Sequence, residues 1–137
     1  MFALDLPPDT WKKQDRPNNK AAEVEFVHKD GDVFALVIAE RIKIPLEMLK
    51  KSVIGNLQSI DENAKIVSEE KRMVHGKEVL RMVMEATVQG FEATYLGYYY
   101  SDDDGSIQVL TYTGTNLFKE ARPDMEAFVN GFEVLKK

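Results

Sequence analysis

Residues 65–114 contain four successive strand-like stretches with almost nothing between them, and that run constrains the fold more than any other feature. The stretches are 65–74, 77–89, 91–101 and 106–114, joined through His75-Gly76, Gln89-Gly90 and Asp102-Asp103-Asp104-Gly105. A parallel crossover needs about a dozen residues, so connections this short dictate an antiparallel meander. Glycine in each connection supplies the backbone freedom of a tight hairpin. Within 77–89, Leu80, Met82, Met84, Ala86 and Val88 share one face, while Arg81, Glu85 and Thr87 share the other with Val83.

A second hairpin precedes the meander. Residues 22–28 and 33–41 flank Lys29-Asp30-Gly31-Asp32, whose Asp-Gly pair favours a tight turn. Phe34, Leu36 and Ile38 alternate with Val33, Ala35, Val37 and Ala39, so both faces are apolar. This pattern predicts a central strand covered on both sides. Upstream, residues 2–6 alternate and stop at Pro7-Pro8, as a short edge strand does. Trp11 then precedes a polar loop over 12–20, which contains Pro17-Asn18-Asn19.

Two amphipathic helices complete the pattern. Pro45 suits a helix's first turn, and Leu46, Leu49, Val53, Leu57 and Ile60 follow at steps of three and four. Gly55 predicts either close packing on the sheet or a bend, and Asp61-Glu62-Asn63 ends the helix. Residues 115–121 form a connecting turn, after which Pro123 opens the last helix with Asp124 and Glu126 in its first turn. Met125, Phe128, Val129, Phe132 and Leu135 form its stripe, with Lys136 and Lys137 at the end favoured by cations. The expected fold class is α+β: a single antiparallel sheet of about six strands flanked by two main helices, in one domain spanning residues 1–137.

These segments resemble the PsbP-like superfamily. It comprises the photosystem accessory proteins of that name, a Ran-binding nuclear-transport regulator of the same fold and bacterial DcrB-like domains. The resemblance rests on Leu6-Pro7 followed by Trp11, the Asp30-Gly31 hairpin and the Ile44-Pro45-Leu46 helix entry. It continues in Tyr98-Tyr99-Tyr100 running into an Asp-Gly turn, and in Leu117-Phe118 before a helix with Phe128 and Phe132. Where the family often carries Ser-Phe near the end of the last helix, this chain has Gly131-Phe132. The resemblance implies a PsbP-like α/β/α sandwich, non-enzymatic and acting through partner binding. In the bacterial branch it implies chaperone-like shielding of hydrophobic segments of secreted effectors. None of the family's functional residues maps onto this sequence.

Composition narrows the function classes. A net charge of -5 argues against a broad nucleic-acid surface, which needs clustered cations. The absence of cysteine removes disulfides, thiol catalysis and cysteine-ligated zinc. No apolar run approaches the ~20 residues that cross a bilayer. The first residues are too few and too acidic for a signal peptide, leaving a cytoplasmic protein or an exported domain trimmed of its leader. No serine lies in a nucleophile elbow, no glycine-rich phosphate loop exists, and Glu69-Glu70 face opposite ways. No catalytic residue and no cofactor is expected. The two histidines, His28 and His75, lack paired ligand spacing, and the three tip aspartates lack the spacing of a calcium loop, so no metal site is expected.

What remains is the aromatic cluster. Alternation places Tyr98 and Tyr100 on one face and Tyr95 and Tyr99 on the other, with Tyr112 across from them. Such rings ordinarily pack a sheet, yet tyrosine is also enriched where partners bind. The expected contact surface is Tyr98, Tyr99 or Tyr100 beside the acidic tip Asp102, Asp103 and Asp104, facing a basic segment of a protein partner. The alternative is a small hydrophobic ligand or acyl chain held between the sheet and the first helix.

Overall fold

The computed structural model describes residues 2–7, 9–14 and 22–135. The strands, in chain order, are β1 (Phe2–Leu4), β2 (Trp11–Lys13), β3 (Val24–His28), β4 (Val33–Glu40), β5 (Lys65–Val74), β6 (Lys77–Val88), β7 (Phe91–Asp102), β8 (Gly105–Gly114) and β9 (Phe132–Val134). The helices are α1 (Leu46–Ile60) and α2 (Phe118–Asn130), the latter entered through a 3-10 turn at Thr115–Leu117. Seven strands form one sheet in the order β2-β3-β4-β8-β7-β6-β5, every neighbour antiparallel, while β1 and β9 pair as a separate ribbon.

The meander lies where the connections predict. His75 and Gln89 join the glycines after them at positive φ, which gives these tight turns the twist that hairpins need. The sheet is larger than the expected six strands, because Trp11–Lys13 is an edge strand paired with β3 rather than the start of a loop. Residues 15–20 of that expected loop lie outside the described residues, as do Lys136 and Lys137. The first strand edges no sheet of the meander; it pairs with β9 alone.

The two helices cover opposite faces. The α1 helix packs on β5, β6 and β7, where Leu49 and Leu57 meet Leu80, Met82, Met84 and Tyr99. Two details of its stripe differ from expectation: Ile60 is exposed, and nothing lies near Gly55 for close packing to use. The α2 helix packs on β4, β7 and β8 and buries Met125, Phe128 and Val129 against Val33, Val37, Leu96 and Val109. It begins five residues before Pro123, which sits inside it, and its acidic first-turn residue is Glu120. It also ends before Phe132 and Leu135. A side chain at Gly131 would collide with the Asp5 carbonyl, so glycine lets β1 approach and Phe132 continues the core from a strand.

The doubly covered reading of residues 33–41 holds on one face only. The β4 strand is interior, with Val33, Ala35 and Val37 buried under α2. On the other face Leu36 is buried, Ile38 half-buried and Phe34 exposed, because α1 lies over the far half of the sheet.

Candidate functional site

The three consecutive tyrosines divide between faces as alternation requires, and all three are buried: Tyr98 and Tyr99 at 0 % exposure, Tyr100 at 8 %. No partner can reach them, so the rings expected as a contact surface are core residues. Tyr98, on the α2 side, donates its hydroxyl to Asn130 Oδ1 and accepts from Arg72 Nη1 at 3.4 Å. Tyr99 lies on the α1 side, its hydroxyl buried over Gly97 without a hydrogen-bond partner. That ring, with Leu49, Leu57, Met82 and Met84, fills the space between sheet and first helix in which a hydrophobic ligand was expected.

The acidic tip is not one site. Asp103 points into solvent and pairs with Lys43 at 2.9 Å. Asp102 turns inward, accepting the Tyr100 hydroxyl at 2.9 Å and the Asp104 N–H at 2.8 Å. Burial alone would raise the Asp102 pKa, but these bonds and one from the Gly105 N–H hold it below the usual carboxylate range. Burial, reinforced by the Asp102 carboxylate, pushes Tyr100 up to about 12. Tyr100, Asp102 and Asp104 therefore meet in the wall of a cavity of about 270 Å³, closed on its other side by Phe2, Val134 and Leu135 near the β1–β9 ribbon.

The exposed aromatic surface lies elsewhere. Strand register places Lys12, Val27, Phe34, Tyr112, Tyr95, Met84 and Ile66 in one row across all seven strands, on the α1 side. Met84 and Ile66 pack into the core under α1. Beyond the helix, Phe34 stacks on Tyr112 at 5.4 Å, Tyr112 contacts Tyr95 at the same centroid distance, and Phe34 is 38 % exposed. Burial raises the Tyr95 and Tyr112 pKa values, with Glu25 adding to the shift at Tyr112. Phe91, on the same face at the start of β7, is 77 % exposed. The clue in the sequence was the surplus of apolar residues on both faces of β4, read there as double coverage.

His28 is placed by packing. Its Nε2 lies 2.7 Å from Asp124 Oδ2 and its Nδ1 accepts the Asp30 N–H at 3.2 Å, so Nε2 carries the proton and ties β3 to α2. Asp30 and Asp32 approach the same ring, giving three groups near enough to share an ion, yet both ring nitrogens are engaged within the protein. The His28 ring meets Trp11 edge-on at 5.3 Å, and Trp11 meets Phe128 at 4.9 Å, so the only tryptophan pins the β2 edge to α2. Arg81, buried on β6, donates to Glu126 at 3.1 and 3.2 Å and ties α2 to the other half of the sheet.

No family model matches the chain, and neither does any curated protein sequence. Solved structures do. The cyanobacterial PsbP protein CyanoP of Synechocystis superposes with a TM-score of 0.71 at 13% identity, over 98% of this chain and 92% of that one. The fold is that of the PsbP-like superfamily. LpqN of Mycobacterium tuberculosis, involved in cell envelope biogenesis, shares this PsbP-like architecture with a TM-score of 0.66 at 11% identity, over 98% of this chain and 83% of its own. Protein PA94 of Pseudomonas aeruginosa, of unknown function and a putative regulator, gives 0.57 at 10% identity over 96% and 86%. Among the described residues, no helix of this PsbP-like domain is long and apolar enough to cross a membrane.

Proposed function

We propose that this chain is a non-catalytic accessory or adaptor domain that binds another protein, in a chaperone-like manner, through the open half of its sheet. The observation that carries this reading is the row Val27, Phe34, Tyr112 and Tyr95, which α1 stops short of covering. Aromatic side chains that are partly exposed and already stacked bury large areas on binding while losing little conformational freedom. The partner fits as a segment with apolar anchors and basic flanks, because the hairpin leading into Phe34 carries exposed Asp30 and Asp32 and the chain has a net charge of -5. The rival reading, an acyl chain between sheet and first helix, loses its location to the packed side chains there.

The test is affinity capture with the native protein beside a variant carrying Phe34→Ser and Tyr112→Ser, with Asp103→Asn as a surface control. The double variant is expected to lose partners that the native protein and the control both retain. Equal recovery by all three would refute the reading.

A further inference from the structure

The cavity lies at the end of β7 remote from Phe91 and the aromatic row, and its lining has a definite chemical character. Phe2, Ala39, Ile107 and Val134 give it an apolar wall. Four carboxylates, Glu23, Glu40, Asp102 and Asp104, border it, and Arg41 is the one basic residue in its lining. Carboxylates gathered around a concavity focus negative potential into it, which repels fatty acids and attracts cations. Asp102 is fixed there by the Tyr100 hydroxyl and the Asp104 N–H, so a carboxylate is held at the wall without rearrangement. The volume of about 270 Å³ falls just below the ~300–1,000 Å³ typical of drug-sized ligands, so the occupant is small.

We infer that this cavity binds a small organic cation, an ammonium seated among Asp102, Asp104 and Glu40 with its hydrocarbon body against Phe2, Ile107 and Val134. This site is separate from the surface proposed for the protein partner, and either can fail without the other. The discriminating probes are cyclohexylamine, cyclohexanol and cyclohexanecarboxylate, alike in shape and different in charge. In amide-resolved NMR titrations of the full chain, cyclohexylamine should shift Gly105, Ser106, Ile107 and Val134 saturably, at ~0.1–1 mM. Asp102→Asn and Glu40→Gln should each weaken it about five- to tenfold. Glu40 is exposed, so its variant tests the charge even if replacing Asp102 disturbs the fold. The inference is overturned if the amine gives no saturable shift, if the alcohol or carboxylate binds as tightly, or if neither variant weakens binding.

Discussion

The Tyr99 hydroxyl lies buried without a partner, and burial together with nearby Tyr95 pushes its ionisation far above the ordinary phenol range. A buried hydroxyl that has given up water without gaining a bond is a net cost. Tyr99→Phe should therefore leave stability unchanged or raise it by about 1 kcal/mol in urea denaturation; a loss of that size would reveal a partner for the hydroxyl. Tyr100 gives a second prediction. Its folded pKa, about 12, lies above the model value of 10.0, so between these values the native state holds a proton that the unfolded state has released. The stability this contributes is complete below pH 10.0 and is lost as pH rises through about 12. Alkaline melts followed beside the tyrosinate absorbance should show that decline, and Tyr100→Phe should flatten it.

At the scale of elements, Gly131 decides where α2 ends. With any side chain there the Asp5 carbonyl must move away, and the 2.8 Å bond from Asp5 N–H to Gly131 O is lost with it. Gly131→Ala should cost about 1–3 kcal/mol, measured by urea denaturation, and should release β1 from β9. That contact also marks the limit of what sequence could reveal. The meander and α1 were legible because period-two and period-3.6 patterns ran for ten residues or more in each. The three-residue strands β1, β2 and β9 are too short to show a period, and their partners lie far away in sequence. Pro123 misled because proline usually marks a first helical turn, whereas here the 3-10 turn at Thr115–Leu117 had already begun the helix. The aromatic row was hidden for a related reason: alternation assigns faces but does not say how far across a sheet a helix reaches. Tyr98, Tyr99 and Tyr100 stood out by adjacency, while the exposed rings are adjacent only through register.

For the whole molecule, stability should fall outward from the middle of the sheet. The β8 strand pairs with β4 on one side and β7 on the other, with α2 over it, whereas β2 is a three-residue edge and β1 pairs with β9 alone. In native-state hydrogen exchange, interior amides of β7 and β8 should open only with global unfolding, and those of β1, β2 and β9 at far lower free energy. Uniform protection across the nine strands would contradict this ranking. The ribbon has a mechanical consequence as well. Its register sets Phe2 opposite Val134 and Leu4 opposite Phe132, so the outward ends of the two strands lie side by side. Tension applied through them loads one pair at a time, like a zipper, rather than shearing all pairs together. Phe2 and Val134 also wall the acidic cavity, so its lining would be the first part of the protein that a pulling force takes apart, before the sheet carries any load.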